Sequence, residues 1–320
     1  MTDDRHRDKR DFGSEEAESV AEAAVAGRLI ADEEIEPVGK PASLWSDAWK
    51  ELRTSPLFIV SAILIVVMII MAVFPALFTK ADPRLCNLSN SLETPSADHW
   101  FGYDLQGCDY VARTVYGARV SISIGVIVTI FAVFISVVLG SLAGFFGGWL
   151  DALIARITDV WFAIPTILGG IVILNLLPTR GLWQVSLVLI LLGWPTMLRL
   201  LRSAVLSAKE QDYVDAARAL GANDFRIITR HILPNAIAPV IVYATITVGV
   251  IISAEAALSF LGVGLQLPAI SWGLMIAGAQ TRILQSPHLL LFPGAFLSVT
   301  VFSFILMGDA LRDALDPKLR

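Results

Sequence analysis

The stretch VSISIGVIVTIFAVFISVVLGSLAGFFGGWL, Val120–Leu150, runs without a single charged residue until Asp151 follows it. A helix rises about 1.5 Å per residue, and roughly 20 apolar residues cross the hydrocarbon core of a bilayer. The stretch is long enough to span. No water reaches that core to satisfy amides and carbonyls, so an apolar run of this length must bond to itself as a helix. Five further runs share its character, at Thr54–Thr79, Val160–Thr179, Gly181–Leu198, Ile232–Ala254 and Ile283–Gly308. Together they predict an all-α integral membrane protein with about six transmembrane helices.

Composition agrees with that reading. The 320 residues are 55% hydrophobic and 17% charged, where soluble domains carry about a quarter charged residues. Too little polar surface remains to cover a water-soluble globule. The net charge of −5 gathers in the first forty residues, at Glu15, Glu16, Glu18, Asp32, Glu33, Glu34 and Glu36. Segment 1–42 therefore reads as an acidic, disordered cytoplasmic tail, with at most a fluctuating helix over Glu15–Ile35, and the charge gives no reason to expect a nucleic-acid partner. No short apolar core with a cleavage site precedes Thr54–Thr79, which reads as a retained signal anchor.

Lys and Arg set the orientation. With the N-terminus inside, the cytoplasmic side receives Lys50, Arg53, Arg156, Arg199, Arg202, Lys209, Arg218, Arg226, Arg230, Arg312, Lys318 and Arg320. The outside receives Lys80, Arg84, Arg113, Arg119, Arg180 and Arg282. This twofold bias predicts both termini in the cytoplasm.

Three local features refine the plan of a transmembrane domain over 54–320. Residues 43–53 read as a short helix capped by Ser43, with Trp45, Trp49 and Leu52 on one face and Asp47, Lys50 and Glu51 elsewhere. Such a helix either lies along the inner leaflet as an elbow or simply extends the first span. Residues 80–119 form an external loop too long for a tight connection, and it holds both cysteines, Cys86 and Cys108. In an oxidising compartment they are expected to form a disulfide, shaping a cap over the entrance, rather than to stay as two thiols. Gly140 with Gly144, and Gly249, Ser253 and Ala257, repeat at four-residue spacing, which lets helix backbones approach closely in lipid.

The cytoplasmic stretch Ser207–Pro234, SAKEQDYVDAARALGANDFRIITRHILP, carries the functional reading. Tyr213, Val214, Ala217 and Leu220 line one side of a first helix, and Gly221 supplies a left-handed stop. Asn223 or Asp224 caps a second helix with Phe225, Ile228 and Ile232 as its stripe, closed by Pro234. Arg218, Arg226 and Arg230 give the pair a basic surface. By periodicity alone this is equally well a solvated connector between two spans.

These residues resemble the inner-membrane permeases of bacterial ABC importers, specifically the C-type subunit of dipeptide and oligopeptide systems. The family's signature is Glu-Ala-Ala, three residues, Gly, nine residues, then Ile-x-Leu-Pro. Here Asp215-Ala216-Ala217 is followed after three residues by Gly221, and after nine by His231-Ile232-Leu233-Pro234. Asp215 and His231 depart from the general pattern, and Arg230-His231-Ile232-Leu233-Pro234-Asn235 is similar to the peptide-permease version. The resemblance covers Trp45–Arg320. Phe101-Gly102-Tyr103-Asp104, Tyr116 to Ser121, Gly147 to Asp151, Ala254-Glu255-Ala256-Ala257-Leu258-Ser259-Phe260-Leu261-Gly262 and Gly308 to Asp313 also resemble family stretches.

The resemblance implies a bacterial inner-membrane protein whose hairpin, including Tyr213, Asp215, Ala216, Ala217, Gly221, Arg226, His231, Leu233 and Pro234, docks in a cleft of a cytoplasmic ATPase. It implies a homologous B-type permease, one or two ATPase subunits or a tandem ATPase, and an extracytoplasmic substrate-binding protein as partners. Peptides are the implied cargo, with haem or nickel chelates as alternatives in related systems. A membrane scaffold or channel using the hairpin for some other partner is the competing class.

Enzyme motifs do not appear. The sequence has no G-x-x-x-x-G-K-[ST], so ATP and Mg are expected on the partner ATPase and no cofactor on this chain. His6, His99, His231 and His288 fall in four separate segments, giving no metal cluster. Glu255 lies roughly 25 Å up its span, near the outer headgroups. It reads either as a gate for charged cargo or as a structural acid bonded to backbone or a neighbouring subunit. Asp159 is the other acid near a span.

Overall fold

A computed structural model describes residues 44–315. The expectations for the 1–42 tail, Ser43, the side chains of Trp45 and Asp47, Lys318 and Arg320 lie outside the described residues. Among the described residues, the membrane-length helices all lie within Asp47–Arg320.

After α1 (Leu44–Leu52) come α2 (Pro56–Val73), α3 (Tyr110–Phe146), α4 (Gly148–Phe162), α5 (Thr166–Leu176) and α6 (Leu182–Lys209). They are followed by α7 (Asp212–Ala219), α8 (Asp224–Arg226), a π-turn (Ile227–Ile232), α9 (Leu233–Ala236), α10 (Ala238–Phe260), α11 (Trp272–Ala279) and α12 (His288–Leu315). α2, α3, α6, α10 and α12 are each long and apolar enough to span. The third expected span is different. Instead of one helix over Val160–Thr179, α4 and α5 form a bent pair at 83°. Pro165 explains the break, because it lacks an N–H and forces the residue before it off helical geometry.

Other boundaries move for equally local reasons. α3 begins ten residues before the apolar run, inside the stretch read as loop, because Asp109 caps it by accepting from the Ala112 amide at 2.8 Å. This brings Arg119 into the helix, where Nε and Nη2 donate to the carbonyls of Ala72 and Val73 at 2.9 and 3.0 Å. A cation thereby satisfies carbonyls that α2 leaves free at its C-terminus. α1 is separated from α2 by a turn at Arg53–Ser55, so it is no simple extension of the span. Ala48 and Leu52 pack against Ala310 and Ala314, while Trp49 is exposed.

The glycine spacing does join helices. A Cβ on Gly144 would sit 2.8 Å from Val205 Cγ1, and one on Gly140 would lie 3.2 Å from the Leu198 carbonyl, so α3 and α6 meet backbone to backbone. Gly249 does the same for α10 against α12, 3.0 Å from the Val301 carbonyl. One end of the bundle gathers residues 74–109, the α5–α6 turn and the 261–287 segment; the opposite end carries 207–236. They are called the cap end and the hairpin end below.

Candidate functional site

At the hairpin end, α6 runs without a break into Lys209 and is pinned on the way. Arg202 pairs with Asp151 of α4, Arg199 Nη2 donates to Asp159 at 2.6 Å, and Lys209 Nζ donates to the Phe145 carbonyl at 2.6 Å. Asp159 is therefore half of an ion pair rather than an isolated intramembrane acid. These bonds give the hairpin a fixed base on α3 and α4.

Val214 of α7 packs in a cluster that includes Ile227, Ile232 and Ala236, and Ala217 is also buried. The expected apolar side is corrected at two places: Tyr213 is 39% exposed and Leu220 87%. Gly221 has φ +81°, which a residue with a Cβ adopts only under strain, and the chain reverses there. Asn223, rather than Asp224, is the cap, accepting from the Arg226 amide at 2.9 Å. The second stripe is also shifted: Phe225 is 76% exposed, and Ile227 and Ile232 are the fully buried pair. Their five-residue separation suits the π-turn, which lies directly ahead of Pro234. A proline in an α-turn would clash with the carbonyl four residues back, and wider winding relieves this. Pro234 consequently does not end the helix, which continues through α9 toward α10.

The remaining predicted residues sit around this core. Asp215 pairs with Arg218 at 3.1 Å, Ala216 and Arg226 are exposed, His231 and Leu233 are half-buried, and Asn235 Nδ2 donates to the His231 carbonyl at 2.8 Å. Tyr213, Leu220 and Phe225 are thus an exposed apolar set on a short, firmly based hairpin. Leu220 and Phe225 point outward although periodicity places them inward. No group of three or more His, Cys, Asp or Glu side chains suited to a metal occurs among the described residues.

The cap end holds the other predicted residues. Cys86 and Cys108 are bridged. The bridge fastens a loop in which Asp104 Oδ1 accepts from the amides of Gln106 and Cys108 at 2.8 and 2.9 Å, and Arg113 pairs with Asp104. Phe101 stacks on Phe292 at 3.8 Å between centroids, and Tyr110 donates to the Leu289 carbonyl at 2.5 Å, seating the loop on α12. Glu255 is fully buried near the upper end of α10, far along that helix from the hairpin. Its partners are the hydroxyls of Ser121, Ser259 and Ser271. Sequence reasoning missed these serines. Ser259, four residues after Glu255 on one helix, carried a local signal; Ser121 and Ser271 carried none.

A cavity of about 610 Å³ opens beside this cluster. Asp104, Tyr110 and Arg113 line one side, and Leu265, Ile270, Leu274 and Met275 the other.

Comparison with known proteins places this arrangement. Residues 136–320 match the family described as "Binding-protein-dependent transport system inner membrane component", and residues 43–95 match the N-terminal TM domain of oligopeptide transport permease C. The chain is 42% identical to the oligopeptide transport system permease protein OppC of Bacillus subtilis, over 88% of this chain and 92% of that one. It is also 42% identical to the dipeptide transport system permease protein DppC of Alkalihalophilus pseudofirmus, over 87% and 91%. The glutathione transport system permease protein GsiD of Escherichia coli is 36% identical, over 89% and 95%. A solved chain of the MetNI methionine ABC transporter, in an inward-facing conformation, superposes with TM-score 0.53 at 20% identity, covering 64% of this chain and 96% of that one. The superposition supports the fold, while the matched residues and the longer alignments settle descent: the chain belongs to the binding-protein-dependent transport system inner membrane component family, as a permease subunit of an ABC importer.

Proposed function

We propose that this permease subunit forms the path for dipeptides or oligopeptides together with a homologous permease, and that the 207–234 hairpin docks in a cleft of the cytoplasmic ATPase. The observation that carries the docking is the exposed apolar set Tyr213, Leu220 and Phe225, held on a hairpin whose two ends continue into α6 and α10. Apolar side chains standing free at a water-facing turn gain free energy when a partner covers them. Because the base is pinned by Lys209 and by the Arg199 and Arg202 pairs, a push on the hairpin tilts long helices rather than bending a loop. Peptide cargo is supported by the names of the most similar relatives quoted above.

The hairpin end lies in the cytoplasm in this reading, with both chain termini on that side, and the cap end faces the substrate-binding protein. ATP and Mg belong to the partner ATPase, which performs the hydrolysis; this chain contributes conformational change and no bond-breaking chemistry. The test is uptake of a radiolabelled alanine dipeptide in a strain lacking the chromosomal gene, with copurification of an ATP-binding subunit on the tagged chain. Restored uptake and a retained ATPase are expected. Retention of the ATPase without dipeptide uptake, alongside uptake of haem or a nickel chelate, would overturn the cargo and leave the docking.

A further inference from the structure

The three serines around Glu255 do more than satisfy a buried acid. A hydroxyl has one proton and two lone pairs, so its direction of bonding is set by whichever neighbour takes the proton. Glu255 takes all three: Oε1 accepts from Ser259 at 2.8 Å and Ser271 at 3.0 Å, and Oε2 accepts from Ser121 at 3.3 Å. Each serine oxygen is then left to accept a backbone amide. Ser259 accepts from Leu265 at 3.3 Å, Ser121 from Trp272 at 3.2 Å, and Ser271 from Leu274 at 3.1 Å. Three amides of the 265–274 stretch therefore depend on hydroxyls oriented by a single side chain of α10.

Close packing makes the attachment specific. A Cβ on Gly264 would lie 2.4 Å from the Ser259 amide nitrogen, and one on Gly273 would lie 2.6 Å from Ala256 Cα and 3.0 Å from Glu255 Oε1. Two glycines thus let the segment sit directly on α10. That same segment, through Leu265, Ile270, Leu274 and Met275, is one wall of the 610 Å³ cavity, and α3 with the cap forms the other. Of the three bonds, the one to Ser259 lies within α10, the one to Ser271 joins the segment to α10, and the longest, to Ser121, faces α3.

We propose that Glu255 is a positioning residue of the transport cycle: it locks residues 261–279 to α10, so that movement entering α10 at the hairpin reaches the wall of the cap-end cavity. Glu255 lies about 25 Å along the helix from Ala238, and a continuous helix carries displacement over that distance. The residue sets whether the two ends move together. Glu255 itself does not line the cavity. The proposal rests on the importer reading above, and its test keeps the two apart.

The test uses the assembled transporter in proteoliposomes, with Met275→Cys as reporter and a membrane-impermeant maleimide added at the cap-end side. Cys86 and Cys108, being bridged, do not react. In the reporter parent, the labelling rate should change with ATP, and ATP hydrolysis should accompany dipeptide uptake. Glu255→Leu should label at least tenfold faster, equally with and without ATP, and should keep hydrolysing ATP while uptake per ATP falls at least tenfold. Glu255→Gln, which keeps one acceptor oxygen for Ser259 and Ser271, should fall between, and Ser271→Ala should shift in the same direction as Glu255→Leu. Ser303→Ala removes a buried hydroxyl that donates within its own helix to Val299 at 2.7 Å and should match the parent.

A purely structural role for Glu255 would lower the amount of assembled transporter while leaving ATP-dependent labelling intact in what assembles. That outcome, or labelling within twofold of the parent in both Glu255→Leu and Ser271→Ala, overturns the proposal alone. If Glu255→Leu does not assemble, Ser271→Ala and Glu255→Gln decide it by the same readout. A parent that neither retains an ATPase nor couples ATP to labelling overturns the importer reading, and this proposal with it.

Discussion

The two ends of this molecule place their charged and polar side chains differently. At the cap end, charge and polarity are turned inward: Asp104 meets Arg113, Glu255 meets three serines, and a disulfide holds the loop above them. At the hairpin end the charged side chains brace helices, while Tyr213, Leu220 and Phe225 stand in the open. Buried polar groups are costly unless paired, and at the cap end Asp104 and Glu255 are paired, while Leu85, Leu88, Trp100 and Leu284 stand exposed there. Exposed apolar groups gain free energy when covered, which is the basis of the docking proposed for the hairpin end. In the proposed function, force enters at the hairpin end and is used at the cap end.

The comparison breaks most readily through Ala217, which is buried in the hairpin. Ala217→Glu places an unpaired carboxylate there, a change of about 3–5 kcal/mol by analogy with broken buried pairs. The hairpin should lose its fold while α2, α3, α6, α10 and α12 stay inserted. Proteolysis confined to 207–236 at normal membrane abundance is the expected result; an intact hairpin would contradict the packing described.

Removing the Cys86–Cys108 bridge tests the other end. Closing a loop across a sequence separation of 22 contributes about 3 kcal/mol in the chain-entropy model. Cys86→Ser with Cys108→Ser should loosen the cap and lower the thermal midpoint of the purified transporter, leaving ATPase retention unchanged. Loss of the ATPase would show that the two ends are not separable in this way.

Between the ends, Gly144→Leu should cost about 1–3 kcal/mol, since its side chain would enter the space of Val205. The expected sign is reduced stability of the α3–α6 pair, read as faster thermal loss of membrane-extracted protein. The smallest effect belongs to Arg218→Ala. Its pair with Asp215 is solvent-exposed on both sides, and such pairs contribute about 0–1 kcal/mol. Uptake should change less than twofold.

Much of this architecture was legible in the chain. Long charge-free runs show where backbone must be helical in lipid, and Gly140, Gly144, Gly249 and Gly221 each did what spacing or conformation predicted. What stayed hidden depended on contacts far apart in sequence. The bend between α4 and α5 was signalled by Pro165, yet hydropathy averages across it. The outward turn of Phe225 and Leu220 reflects the π-turn and tight reversal, which shift the buried face away from a regular helical period. Ser121 and Ser271 reach Glu255 from 134 and 16 residues away, and no local pattern announces such a meeting.

The central claim is that the hairpin end is incomplete without an ATPase. Phe225 tests it most directly, because its ring is exposed and its removal leaves the hairpin core untouched. Phe225→Ser should leave membrane abundance and the proteolytic pattern of the chain unchanged, while the ATP-binding subunit copurifying with it falls at least tenfold and dipeptide uptake falls with it. Unchanged ATPase retention and uptake in Phe225→Ser and in the double variant with Leu220→Ser would contradict the account, leaving the hairpin as a connector between two spans.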